Sequence, residues 1–201
     1  MLVQGIKSRP VYEGLTIDPH ARRHIFALEG EGALALAEQG GALTPAVLER
    51  TELLYAAGGS QGQDHDLKLA ALGADIFWQA PSIATLLFRL KGPLNNATMG
   101  TRLYIAGTEG FIGQVMQIAL DLGMDFNSIP TEHRGSLARR VQCVHCKGVT
   151  DNVTVSPFAC SHCGLPLLVR DHYSRRLAAF QGVNIDAEEP GTAPEPEELF
   201  S

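Results

Sequence analysis

The four cysteines of this 201-residue chain fall in two close pairs, Cys143-Val144-His145-Cys146 and Cys160-Ser161-His162-Cys163, with thirteen residues between them. A two-residue gap lets the backbone between paired thiolates form a tight knuckle whose amides donate to sulfur, and two facing knuckles make a tetrahedral four-sulfur cage. Cys143, Cys146, Cys160 and Cys163 are therefore expected to hold a metal. Tetrahedral S4 suits zinc or a rubredoxin-like iron. Zinc is the expected occupant, because the shell is closed and nothing beside it reads as an electron entry point. A plant-type [2Fe–2S] site would want Cys-x4-Cys-x2-Cys and a distant fourth ligand. Gly148 and Gly164 lie just after their pairs, where a turn of positive φ would use them. His145 and His162 occupy the same place in both knuckles, but four thiolates already complete the shell, which leaves the histidines surface or supporting roles.

Other candidate chemistry is sparser. Two glycine-rich turns, Gly58-Gly59-Ser60-Gln61-Gly62 and Gly107-Thr108-Glu109-Gly110, follow apolar runs and precede helical patterns, the place where backbone amides meet phosphate. Neither matches the dinucleotide fingerprint or the P-loop, and Glu109 sets a negative charge where phosphate should sit. Glycines that permit tight turns in an α/β sheet are the expected reading. Asp64, His65 and Asp66 read as local helix capping. Glu132 and His133 admit either hydrogen bonding or acid–base work, and Trp78 either core or interface packing. There is no nucleophile elbow. No catalytic and no cofactor-binding residue is assigned.

These residues need elements to position them, and the first part of the chain alternates short apolar runs with amphipathic stretches, the pattern of an α/β domain with a mostly parallel sheet and flanking helices. Strands are expected at 24–28, 52–57, 75–79 and 102–106, with a last one within 126–131. Helices are expected at 32–39, from Pro45 to Arg50 behind a Thr44 cap, and at 64–72, 82–90 and 110–122, the last closed by Gly123. Residues 91–99 read as a loop. The helical period disappears at Arg139, and short β-rich segments at 153–155, 165–169 and 177–180 flank the cysteines. The expected organisation is an α/β domain over 1–138, a small β-rich zinc ribbon over 139–183, and an acidic flexible tail over 184–201. The tail holds almost no apolar residue before Leu199-Phe200, too little to offset its ordering entropy.

Composition bounds the partners. With 45% apolar and 19% charged residues the chain is globular, and its net charge of −6 argues against nucleic acid or an anionic membrane surface, which need a surplus of Lys and Arg. No run approaches the about 18 apolar residues of a membrane helix, no export signal opens the chain, and cysteines paired for metal fit a reducing compartment. A cytoplasmic location is expected. One basic cluster stands out, Arg170-Asp171-His172-Tyr173-Ser174-Arg175-Arg176, either a solvated hairpin face or an interface anchor.

Two stretches resemble known proteins. Leu103-Tyr104-Ile105-Ala106-Gly107-Thr108-Glu109-Gly110-Phe111 resembles the last strand–turn–helix of the nucleotide half of ferredoxin-reductase-type flavoenzymes, with Ala106 and Thr108 in place of their Cys and Pro, and Ile129 to Glu132 is similar to that module's closing strand. More specifically, Arg140-Val141-Gln142-Cys143-Val144-His145-Cys146 and the run from Val169 to Val183 resemble the DmmA-like small subunit of dimethylamine monooxygenase, a heme-dependent oxidative N-demethylase. The resemblance implies a complex that oxidises dimethylamine to methylamine and formaldehyde with NADPH and oxygen. Its partner chains would be a heme catalytic subunit, a reductase subunit carrying FMN and [2Fe–2S], and a tetrahydrofolate-binding subunit. The implied part of this chain is a zinc-bearing accessory subunit with a degenerate reductase-like nucleotide domain, serving assembly or transfer between subunits within an NADPH-dependent monooxygenase complex; the isolated chain is expected not to be catalytic. The alternative is an electron-transfer protein in its own right, rubredoxin-like or NAD(P)-binding, with iron at the cysteines and nucleotide on Gly107 to Gly110.

Overall fold

The computed structural model describes residues 8–59 and 63–201, so Ser60, Gln61 and Gly62 of the first glycine-rich turn lie outside the described residues. The chain divides into two compact units, one of residues 12–135 and one joining residues 8–11 to 136–201.

In the first unit, β1 (Arg23–Glu29), β2 (Thr51–Ala56), β3 (Ile76–Ala80), β4 (Thr101–Gly107) and β5 (Thr131–His133) form a parallel sheet in the order β3-β2-β1-β4-β5. The connections carry α1 (Gly32–Ala37), α2 (Pro45–Leu48), α3 (His65–Ala70), α4 (Ile83–Asn95) and α5 (Glu109–Asp121). Strand side chains alternate between faces, and both faces here are apolar, which is why the strands read as continuous runs rather than alternating ones. On one face Ile25, Leu54 and Ile105 pack with Leu86 and Leu90 of α4 and Phe111 and Val115 of α5. On the other, Phe26, Leu53 and Tyr104 pack with Leu36 of α1 and Leu69 of α3. This is the expected α/β sheet with flanking helices. Thr44 caps α2 as expected, its Oγ1 accepting from the Val47 amide at 3.4 Å with Pro45 at the first helical position.

Two elements differ from expectation. α4 continues through Gly92-Pro93 to Asn95, because Leu90 and Leu94 extend the stripe begun at Leu86 and bury it, outweighing two poor helix formers. The closing strand begins only at Thr131, since Phe126–Ser128 forms a single 3-10 turn.

The second unit is a β structure: β6 (Arg139–Cys143), β7 (Val149–Val153), β8 (Val155–Ser156), β9 (Phe158–Ala159), β10 (Pro166–Ser174) and β11 (Ala179–Asn184), with a five-stranded sheet in the order β7-β6-β11-β10-β9. Residues 8–11, assigned by sequence to the first domain, join it. Ser8 bridges β10 beside His172, its amide donating to the Asp171 carbonyl at 2.9 Å, and Arg9 ion-pairs with Asp171.

The tail also departs from its composition. β12 (Glu197–Glu198) pairs antiparallel with β8, the amides of Leu199 and Phe200 both donate to the Thr154 carbonyl at 2.9 Å, and Phe200 is buried in the ribbon core. The buried guanidinium of Arg139 lies between two rings, 4.0 Å from the Phe180 centroid and 4.0 Å from that of Phe200, and its Nη1 meets Asp171 at 2.9 Å. One aromatic anchor with a cation to stack on orders an end that average hydropathy would leave loose.

Candidate metal centre

The two knuckles are built alike. In the first, Lys147 N donates to the Cys143 carbonyl at 3.0 Å and Cys143 N to the Gly148 carbonyl at 2.9 Å; in the second, Gly164 N donates to the Cys160 carbonyl and Cys160 N to the Leu165 carbonyl, each at 2.9 Å. Each closing residue, four after the first cysteine, is left-handed: Lys147 at φ 65° and Gly164 at φ 75°. The expectation for Gly164 holds, whereas Gly148 serves a different need. A Cβ there would lie 2.4 Å from Cγ and Cδ2 of His162, so the glycine makes room for an imidazole from the opposite knuckle.

That imidazole ties the knuckles together. His162 Nε2 lies 2.9 Å from the Val149 carbonyl, and Thr150 Oγ1 lies 2.9 Å from Ser161 Oγ. His145 is exposed. Sequence reasoning missed the roles of Lys147, Val149 and the Thr150–Ser161 pair. Superposing the two Cys-x2-Cys repeats by position would have paired Lys147 with Gly164 and exposed the first.

The four sulfurs converge, all within 4.8 Å of one another. Cys143 Sγ and Cys163 Sγ are 3.9 Å apart and Cys146 Sγ and Cys160 Sγ 3.7 Å. A disulfide would need about 2.05 Å. A zinc ion at about 2.3 Å from each sulfur spaces tetrahedral ligands about 3.8 Å apart, so the donor set fits a closed S4 shell. Cys143 and Cys160 are buried, while Cys163 is half-buried and Cys146 exposed.

The thiols do not share charge equally. Burial would raise Cys160, but the amides of His162 and Cys163 and the thiols of Cys163 and Cys146 outweigh it and bring Cys160 down to about 6. The Leu165 amide favours the Cys163 thiolate, yet burial and the neighbouring sulfurs of Cys146, Cys160 and Cys143 prevail and hold it up at about 12. Four thiolates this close repel one another unless a cation sits among them, and a bound metal deprotonates all of them. The arrangement has the geometry of a ligand shell that could hold a metal ion.

The family model for the N-terminal domain of the dimethylamine monooxygenase subunit DmmA-like family matches residues 4–129, and that for the C-terminal domain matches residues 140–183. The chain belongs to that family. A curated relative, the heme-dependent oxidative N-demethylase delta subunit of Ectopseudomonas mendocina (strain ymp), is 34% identical over 110 residues, which cover 55% of this chain and 63% of the relative. The match thus spans less than two thirds of that relative's length. Among solved structures, phthalate dioxygenase reductase is similar at 13% identity and a TM-score of 0.44, covering 69% of this chain and 46% of the other. An intact type IV self-sufficient cytochrome P450 monooxygenase is similar at 17% identity and a TM-score of 0.44, covering 84% and 28%.

In this DmmA-like chain the remaining sequence candidates disperse. Asp64, expected to cap α3, adopts a left-handed backbone at φ 53° and makes no side-chain cap bond, while His65 is buried with Nε2 2.9 Å from Gln63 Oε1. Glu132 Oε2 accepts from the Leu15 amide at 2.9 Å, its Oε1 from Arg134 Nε at 2.7 Å, and His133 lies against Tyr12 with centroids 5.8 Å apart. Trp78 is half-buried on the edge strand β3 beneath the guanidinium of Arg89, 5.4 Å from its ring centroid. Glu109 receives the Tyr12 hydroxyl at 3.1 Å. The basic run occupies the end of β10 and the turn into β11, with Arg170, His172, Arg175 and Arg176 exposed and Tyr173 edge-on to Phe180 at 5.1 Å. No helix among the described residues is long and apolar enough to cross a membrane.

Proposed function

We propose that this chain is a zinc-bearing accessory subunit of a multi-component dimethylamine monooxygenase, acting in assembly or transfer between subunits rather than in catalysis. The observation that carries the reading is the four-sulfur shell in a chain of this family. Cys143, Cys146, Cys160 and Cys163 would hold the ion, which supplies electrostatic cross-linking and no redox step. The chain's own residues do the rest. Knuckle amides orient the sulfurs, His162 and Thr150 lock one knuckle to the other, and the sheet behind them carries the basic hairpin.

The oxidation of dimethylamine to methylamine and formaldehyde then belongs to partner chains bearing heme, FMN with [2Fe–2S], and tetrahydrofolate, in the cytoplasm. Arg170, Tyr173, Arg175 and Arg176 are the proposed contact to one of them. Arg and Tyr dominate binding hot spots, and a ribbon held by metal presents them in fixed shape at reduced ordering cost. Support for the reading comes from the delta-subunit name of the relative and from the exposure of these arginines.

Co-expression with the other subunits tests this. The tagged chain should carry heme and flavin absorbance through purification, and Arg175→Ala with Arg176→Ala should loosen the complex and lower turnover while leaving the metal bound. Full assembly and turnover in its absence would sink the accessory role.

A further inference from the structure

The strand order β3-β2-β1-β4-β5 reverses direction between β1 and β4. In open parallel sheets the crevice beyond the carboxyl ends of the strands at such a reversal is where phosphate-bearing ligands sit, on the amides that open the next helix. Here that seat holds part of the chain itself. Glu29, the last residue of β1, is 6% exposed, and its Oε2 accepts from both the backbone amide and the hydroxyl of Thr108 at 2.8 Å each.

Thr108 is the N-cap of α5, a 13-residue helix, yet its side chain makes no cap bond to that helix. Its hydroxyl goes to Glu29 instead. The backbone around the carboxylate is cleared to match. A Cβ on Gly107 would lie 2.8 Å from Glu29 Oε2, and one on Gly58 would lie 2.6 Å from Oε1. Gly58 is also left-handed, at φ 55°. Glycines that elsewhere let backbone approach a phosphate here let it approach a carboxylate. Across the same strand end, α1 closes down on β4, since a Cβ on Gly32 would meet the Ala106 carbonyl oxygen at 2.1 Å.

We propose that Glu29 is a built-in anion occupying the phosphate seat of the switch-point crevice, so that this subunit excludes nucleotides by filling their site. The residue that decides this is Glu29, at the end of the first strand; Glu109, on the helix, is turned to Tyr12. The seat has shape and donors for an anionic oxygen and already has one. Phosphate-bearing cofactors of any assembly then fall to other chains. The proposal is independent of what the ribbon binds.

The test follows the Thr108 amide of the isotope-labelled full chain by NMR while inorganic pyrophosphate, and separately NADPH, is added. In the unaltered protein the Thr108 signal should stay in place with either probe. Glu29→Ser empties the seat, and pyrophosphate should then move Thr108 saturably, with affinity at least tenfold above that of the unaltered chain. Glu29→Gln keeps the side chain in place without its charge and should remain closed, which separates occupation from repulsion. Saturable movement of Thr108 in the unaltered chain overturns the proposal whether or not the variants fold. So does a folded Glu29→Ser protein whose Thr108 ignores pyrophosphate, or a Glu29→Gln protein that binds it as tightly as Glu29→Ser.

Discussion

The two units of this chain solve the same problem with different means. Residues 12–135 bury two apolar layers, one on each face of a parallel sheet, with Glu29 matched by Thr108 at the end of the first strand. The ribbon has a single thin core of residues such as Val141, Leu167 and Phe180, two of its buried members being the cysteines Cys143 and Cys160. Its interior includes a buried arginine held by Asp171 and two phenyl rings. A layer that thin does not outweigh the ordering of its backbone by apolar burial alone. On the proposed reading the first unit is held by area and the second by a metal cross-link. A metal binding free energy on the order of 10–16 kcal/mol would supply it.

The sharpest way to break that contrast is Cys160→Ser. Removing one of four thiolates should abolish tight metal binding, and amide protection should vanish through β6, β7, β10 and β11 while β1, β2 and β4 keep theirs. Equal loss in both units, or in neither, would dissolve the distinction. Phe200→Ala comes next. Deleting a buried ring from the thin core and from one face of Arg139 should cost about 3 kcal/mol, the low end for a buried phenylalanine, and exchange at Val155 and Ser156 should quicken with it. A tail that contributes nothing would leave the ribbon's stability within about 0.5 kcal/mol of the parent.

Those two predictions divide along what the sequence could convey. Cysteine spacing is a local signal, and the convergence of the four cysteines and the strands between helices were legible because each depends on a few adjacent residues or a fixed period. Features that depend on meeting a distant residue were not. Nothing around Phe200 announces Arg139, some sixty positions away, and an acidic, proline-bearing tail reads as loose until that partner is known. Gly148 shows the same limit within the site. It looks like a turn glycine, but the turn is made by Lys147, and the glycine answers to the ring of His162 across the cage. Glu29 was overlooked because its partner Thr108 lies on another strand end, although an acidic residue flanked by Gly30 at the close of a buried strand was the available hint.

Smaller effects sharpen the comparison. Gly148→Ala must displace His162 and its contact with the Val149 carbonyl, at a cost of about 1–3 kcal/mol to the ribbon. In a His162→Ala background the same change should cost markedly less, and strict additivity would argue against the proposed packing.

In the sheet unit the corresponding weak point is acid. His24 is fully buried beside the Tyr104 hydroxyl, 3.2 Å from its Nδ1, and its Nε2 has no partner among the described residues. Burial first, and then the charge of Arg50, lower its pKa below the ordinary histidine value. The unfolded chain therefore takes up the proton more readily, so stability is complete above about pH 6.5 and falls as pH drops below it, by at most about 1.4 kcal/mol per unit. The ribbon's Asp171 behaves as a carboxylate: burial raises it, but Arg9 and Arg139 prevail and lower it, so its contribution is lost only below about pH 4. Unfolding curves of the sheet unit between pH 7 and 5 should show this slope, and His24→Gln should flatten it. The ribbon should lose stability over the same range for a different reason, because protons compete with the metal for its thiolates.

The central claim, that a four-thiolate zinc holds the ribbon, is tested most directly by metal analysis of the chain as purified from cells grown without added metal, followed by chelation under amide exchange. The account predicts one zinc per chain, no visible colour, and loss of protection across the ribbon as the ion leaves. A red iron protein, or a metal-free chain whose ribbon amides stay protected, would contradict it.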